Sequence, residues 1–217
     1  MTNHTTDAAT MYALIEEQQD DIVRRQAAIV PRMALTWGLA WFVGFLALWL
    51  VDGASPAFAL PVPTAIAVFV AANAAGVAVS AVLGVRSNRG YRPSRQDSFT
   101  GVVYGNTWSV GIIAILLLGW GLTTQGMPGT VAGHFYPAAL VVFAGIMYIT
   151  AGAIWQAVPC VVVGAVIVVI GALSTFMPAP WHFLFLAIAA GGSFLVLSVV
   201  ALRWSRGTRG VTAGASA

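Results

Sequence analysis

The sequence predicts an all-α, polytopic membrane protein with six transmembrane helices. No Asp, Glu, Lys or Arg occurs between Asp97 and Arg203, a stretch that covers nearly half of the 217-residue chain. Only 8% of the residues are charged and 59% are hydrophobic, whereas about a quarter of a typical soluble sequence is charged. Because a soluble domain needs a charged surface, a chain that avoids charge for this long is expected to have lipid around most of its surface.

Six apolar segments approach the length that crosses the hydrocarbon core, which takes roughly 20 residues per helix. Turns that contain glycine, proline or polar residues separate them. The predicted spans cover residues 33–51, 63–85, 101–122, 136–153, 158–176 and 181–202. The boundary between the fourth and fifth spans carries no charge, and its prediction depends on Gly152, Trp155, Gln156 and Pro159.

The ten basic residues are all arginines, and they form three clusters near the predicted span ends. The clusters are Arg24, Arg25 and Arg32; Arg86, Arg89, Arg92 and Arg95; and Arg203, Arg206 and Arg209. Six spans place all three clusters on one side of the membrane, whereas five spans would move the last cluster to the other side. Since basic loops are retained in the cytoplasm, we expect six spans with both the N-terminus and the C-terminus cytoplasmic.

This topology divides the chain into three regions. They are a cytoplasmic N-terminal segment (1–32), a six-helix transmembrane domain (33–203) and a flexible cytoplasmic tail (204–217). In the first region, residues 10–30 predict an amphipathic helix, in which Asp20 and Arg24 stand four apart and can pair. This helix has two interpretations: an interfacial lead-in to the first span, or a docking site for a cytoplasmic partner.

Small residues recur every four positions on two spans, a spacing that lets helix backbones approach closely. The second span carries Ala72, Gly76, Ser80 and Gly84, and the third carries Gly101, Gly105 and Ser109. We interpret both stripes as helix-packing faces, either inside the bundle or in a dimer. The polar residues Asn73, Asn106 and Thr107 have two interpretations, hydrogen bonds between helices or the lining of a substrate path.

No arrangement of residues typical of a catalytic, cofactor or metal site is recognisable. The chain has no lysine, no Walker-type phosphate loop and no GxSxG motif. His134 and His182 are predicted at the outer ends of the fourth and sixth spans, and with Asp52 they make a weak set of metal ligands. Membrane topology and anionic lipids explain the arginines without nucleic acid. We therefore expect no enzyme activity, no cofactor, no metal and no nucleic-acid partner.

Three sequence segments resemble a group of uncharacterised six-span membrane proteins from actinobacteria. They are the lead-in YALIEEQQDD, the first-span sequence TWGLAWFVGFLALWL and the turn AGAIWQ. A looser similarity is to the membrane subunits of ABC-2 type exporters, which also have an amphipathic lead-in helix, six spans and cytoplasmic termini. The first resemblance implies a location in the plasma membrane, and it implies no catalytic residue.

These observations favour a non-enzymatic membrane subunit with a transport-related or accessory role. Its expected partners are the lipid bilayer and either further copies of itself or another membrane protein. The alternative is the permease subunit of an ABC-type exporter that needs a separate ATPase, with the loop 86–97 and the lead-in helix as its contacts. An intramembrane enzyme is a third hypothesis, disfavoured because no catalytic arrangement is visible.

Overall fold

The computed structural model describes residues 10–11, 29–87 and 94–214, and among these it describes the side chains of 10–11, 31–86 and 94–203. Within these ranges the chain is helical and has no strand. The helices are α1 (Ile29–Trp49), α2 (Val62–Ser87), α3 (Arg95–Thr124), α4 (Gly129–Ile154), α5 (Val158–Ser174) and a sixth helix in three parts, α6 (Trp181–Phe185), a π-helical segment (Leu186–Gly191) and α7 (Gly192–Gly214). The predicted all-α architecture is confirmed. The predicted lead-in helix lies almost entirely outside the described residues.

Five of these helices are long and apolar enough to cross a membrane. Their apolar segments are Pro31–Trp49, Val62–Arg86, Arg95–Thr124, Gly129–Ile154 and Trp181–Arg203. The remaining helix, α5, is apolar but shorter, with 17 residues. At 1.5 Å per residue it extends about 26 Å, slightly less than the hydrocarbon thickness of about 30 Å. The structure therefore supports a helical membrane protein with five full-length candidate spans and one short apolar helix.

α3 and α4 begin six and seven residues earlier than the apolar pattern predicts, and α1 begins four residues earlier, at Ile29. α3 begins at Arg95 instead of residue 101, because Ser94 and Asp97 form a capping box: the Ser94 hydroxyl oxygen accepts from the Asp97 amide at 3.1 Å, and the Asp97 carboxylate accepts from the Ser94 amide at 3.3 Å. α4 begins at Gly129, directly after Pro128, instead of residue 136. The apolar pattern marks the lipid-facing part of a helix, and all three helices continue beyond it.

The turn between α4 and α5 lies where the sequence predicts it. Gln156 has a φ of 53°, a left-handed conformation that stops the helix. The Ala157 amide donates to the Gly152 carbonyl at 2.9 Å. Pro159 stands in the first turn of α5, where no backbone donor is needed. These features make α4 and α5 a tight antiparallel hairpin.

Within the described ranges, the principal contacts run in the order α2, α1, sixth helix, α5, α4, α3. The core lies in the middle of this row, around Phe194, whose side chain is fully buried. The Phe194 ring contacts Trp41 at 5.3 Å and Tyr148 at 5.0 Å between ring centroids. The Ser198 hydroxyl donates to the Pro31 carbonyl at 2.8 Å, which connects α7 to the start of α1. α2 and α3 lie at the two edges of the row.

Glycines bring the backbones of α4 and α5 into direct contact. A Cβ atom added to Gly145 would lie 2.7 Å from the Gly164 carbonyl oxygen, and one added to Gly164 would lie 2.6 Å from the Gly145 carbonyl oxygen. Gly152 and Gly171 make similar close approaches to the facing helix, two turns further along each chain. Such contacts are typical of helices that pack within a membrane.

Candidate functional site

The helix ends define two ends of the bundle. The histidine end consists of the turns 50–61, 125–128 and 175–180, with Asp52, His134 and His182. The arginine end carries the described side chains of Arg32, Arg86, Arg95 and Arg203. Arg24, Arg25, Arg89 and Arg92 lie outside the described residues, as do the side chains of Arg206 and Arg209. Every arginine whose side chain is described therefore lies at one end.

At the histidine end, His134 and His182 lie against each other. Their rings stack with centroids 4.0 Å apart and an angle of 25° between the planes. His134 Nε2 lies 2.9 Å from the Met177 carbonyl oxygen, and His182 Nε2 lies 3.2 Å from the Gly133 carbonyl oxygen. The histidine pair therefore connects the first turns of α4 to the segment between α5 and the sixth helix and to the first turn of α6.

The histidine pair makes hydrogen bonds to backbone carbonyls. His134 Nδ1 also lies 2.8 Å from the Thr130 carbonyl oxygen, and a neutral imidazole, which has one N–H, donates to one of its two carbonyls at a time. His182 is 2% exposed, and its Nδ1 has no hydrogen-bond partner in the described part of the chain. No cluster of three or more His, Cys, Asp or Glu side chains suited to a metal ion occurs there either.

The small-residue stripe on α2 faces α1 along most of its length. A Cβ atom on Gly76 would lie 3.4 Å from the Trp37 ring. The Trp37 indole Nε1 donates to the Ser80 hydroxyl at 3.0 Å, and Ala72 packs against the core. A Cβ on Gly84 would meet nothing within 4 Å. Gly76 and Ser80 thus contact the indole of Trp37 directly.

The small-residue stripe on α3 has a different position. Cβ atoms added to Gly101 or Gly105 would meet nothing within 4 Å, and Ser109 is exposed. α3 packs on α4 through a neighbouring face, where the Trp108 ring contacts Phe143 at 5.6 Å between centroids. Among the described residues, none lies within 4 Å of a Cβ at Gly101 or Gly105, so the packing role of the stripe stays a prediction about contact with another molecule.

The predicted polar path is not assembled within the described chain. The Asn73 amide donates to the Phe69 carbonyl at 2.8 Å, and the Thr107 hydroxyl donates to the Val103 carbonyl at 2.8 Å, both on their own helices. The carboxamide of Asn106 is exposed and makes no hydrogen bond to any described residue. Asn73 and Asn106 therefore do not bond to each other across helices, and they lie on opposite edge helices.

Asp52 lies at the rim of a groove at the histidine end, which sequence reasoning did not find. The groove has a volume of about 480 Å³. Its other lining residues are Leu48, Val51, Val62, Ile66, Ala179, Pro180 and Phe183. They come from three separate segments of the chain, so only tertiary packing brings them together. The sequence signal that was available is the isolation of one carboxylate far from every arginine.

No protein-family model matches this chain, and no curated protein or solved structure is significantly similar to it. The apolar helices indicate a helical membrane protein. Any more specific assignment depends on the residues themselves.

Proposed function

We propose that this chain is a non-enzymatic, multi-pass subunit of the plasma membrane, transport-related or accessory, which assembles through the outward face of α3. Its arginine end and both termini lie in the cytoplasm. The grouping of described arginines at one end supports this orientation, because basic residues at span ends are retained on the cytoplasmic side.

The observation that carries the proposal is the exposure of Asn106 on an apolar edge helix. α3 is the helix with no buried residue in its most apolar window, and Asn106 lies roughly 16 Å along it from Arg95. In hydrocarbon, a carboxamide without a hydrogen-bond partner costs about 4–8 kcal/mol. A protein partner at this face would remove that cost by supplying a donor and an acceptor.

The glycine stripe provides the space for such a partner. Gly105 is adjacent to Asn106 in sequence, and Gly101 and Ser109 lie one turn to either side. Because nothing lies within 4 Å of a Cβ at Gly101 or Gly105, the backbone of a second helix can approach closely there. The face thus combines a close-approach surface with an unsatisfied polar group.

A second copy of this chain is the partner that the chemistry favours. A carboxamide both donates and accepts, so two Asn106 side chains related by a two-fold axis satisfy each other. Another membrane protein with a polar residue at the matching depth is the other candidate partner. The alternative permease hypothesis adds a separate ATPase at the arginine end.

Co-isolation from the native host tests the proposal. Two differently tagged copies are co-expressed, extracted in mild detergent and captured through one tag, and the eluate is identified by mass spectrometry. We expect the second copy to be recovered from wild type and lost from Gly105→Leu. Gly121→Leu is the matched control, since an added Cβ there also meets nothing within 4 Å and Gly121 lies about 160° around α3 from Gly105.

Two outcomes would change the proposal. Recovery of the second copy from Gly105→Leu at the wild-type level would remove the α3 face as the interface. Recovery of an ATPase in stoichiometric amount would replace the accessory role with that of a permease subunit.

A further inference from the structure

The groove at the histidine end is built from three segments that the fold holds apart. The end of α1 supplies Leu48, the start of α2 supplies Val62 and Ile66, and the sixth helix supplies Phe183. Beside the groove, the Trp49 and Trp181 rings contact each other at 5.8 Å between centroids and connect α1 to α6. A volume of about 480 Å³ lies within the usual range of small-molecule sites.

The groove has one charged side chain and an apolar wall. Asp52 is exposed on its rim, and its carboxylate has no hydrogen bond or ion pair with any described residue. The described arginines lie at the other end of the bundle, and the chain has no lysine. No described cation therefore offsets this negative charge. An occupant that covers the neighbouring apolar wall would exclude water there and strengthen its own attraction to the carboxylate.

From this combination we propose that the groove binds an apolar organic cation. The positive centre faces the Asp52 carboxylate, and the apolar body lies against Val62 and Ile66. The ring of Phe183 adds a face to which a cation is attracted. Charge complementarity selects this occupant, because a neutral acyl chain in the groove would dehydrate the carboxylate without compensating its charge.

Binding of radiolabelled tetraphenylphosphonium to the full-length protein in phosphatidylcholine nanodiscs tests the proposal. We expect saturable binding to wild type, and a loss of affinity of about tenfold or more in Asp52→Asn, which keeps the side-chain shape and removes the charge. Asp52→Glu, which keeps the charge, is expected to retain binding within about threefold. Tetraphenylborate has nearly the same shape and the opposite charge, and we expect it to show no saturable binding.

A second variant tests the apolar wall independently of the charge. Ile66 is 51% exposed, so Ile66→Trp fills the groove at little cost to the core, and we expect it to weaken probe binding while Asp52 is unchanged. Circular dichroism and size-exclusion profiles equal to wild type establish that each variant is folded. Binding to Asp52→Asn at the wild-type level would show that the probe only partitions into lipid, and it would overturn the proposal. Unchanged binding to Ile66→Trp would also overturn it.

Discussion

The contact between Gly145 and Gly164 makes the packing of α4 against α5 directly testable. In Gly164→Ala, the new methyl group would lie 2.6 Å from the Gly145 carbonyl oxygen and 2.7 Å from the Ile149 amide nitrogen. Both atoms belong to the backbone, so neither can swing away. The two helices have to separate by about 0.8 Å before this contact reaches van der Waals distance.

The expected cost follows from that separation. Overpacking of a well-packed core costs roughly 1–3 kcal/mol, and the intrinsic preference of a helix for alanine over glycine returns about 1 kcal/mol. We therefore expect Gly164→Ala to lower the free energy of unfolding by up to about 2 kcal/mol relative to wild type, and to be about 1–3 kcal/mol less stable than a variant that has only the helix-propensity gain. Gly121→Ala is the matched control: it receives the same helix-propensity gain, meets nothing within 4 Å and lies away from the proposed dimer face, so it is expected to be as stable as wild type or more so.

Reversible unfolding in mixed micelles, followed by circular dichroism and tryptophan fluorescence, measures both variants. A Gly164→Ala protein that is as stable as Gly121→Ala would refute this reasoning, because it would mean that the backbones of α4 and α5 are not in contact.

Three further predictions concern single side chains. Ser80→Ala removes the hydrogen bond from the Trp37 indole and is expected to cost about 0.6 kcal/mol of unfolding free energy; in a Trp37→Phe background, where this bond is already absent, the same substitution should cost less. Tyr104→Phe removes the 3.0 Å bond from the phenol to the Met147 carbonyl; faster hydrogen exchange should appear in α3, and exchange in α1 should be unchanged. His134→Ala removes the ring stack with His182 and the bond to the Met177 carbonyl. We therefore expect the free energy of unfolding to fall by about 1 kcal/mol and proteolysis at the turn 175–180 to become faster. Proteolysis at the wild-type rate would mean that His134 does not hold this turn against α4.

The sequence predicted the helices well because lipid imposes a strong local pattern. Each apolar segment between turns became a helix, and Gln156 marked the uncharged turn before α5 as expected. The starts of α3 and α4 were wrong because hydropathy follows the hydrocarbon layer, whereas a helix ends where its backbone groups are capped. The capping residues Ser94 and Asp97 were a readable signal for the first of these two boundaries.

Packing was harder to predict, because a small residue makes a contact only if a neighbour faces it. Gly145 and Gly164 bring the backbones of α4 and α5 into direct contact, and this contact was not predicted. The sequence did contain a signal for this contact. Gly152 and Gly171 follow Gly145 and Gly164 by two turns, and glycines at the same spacing on consecutive helices are typical of two helices that pack closely. The groove beside Asp52 had no local signal, because its walls come from distant parts of the chain.

Cysteine cross-linking in native membranes tests the central claim, assembly through α3, most directly. In a Cys160→Ser background, Val102→Cys places a thiol about one turn before Gly105 and Asn106, on the same face of α3. Thr107→Cys places one about 140° around the helix and about 8 Å further along its axis. Both native side chains are exposed. The account predicts a disulfide-linked dimer for Val102→Cys, little for Thr107→Cys, and loss of the Val102→Cys dimer when Gly105→Leu is added. Equal cross-linking at both positions, or a Val102→Cys dimer that persists with Gly105→Leu, would contradict it.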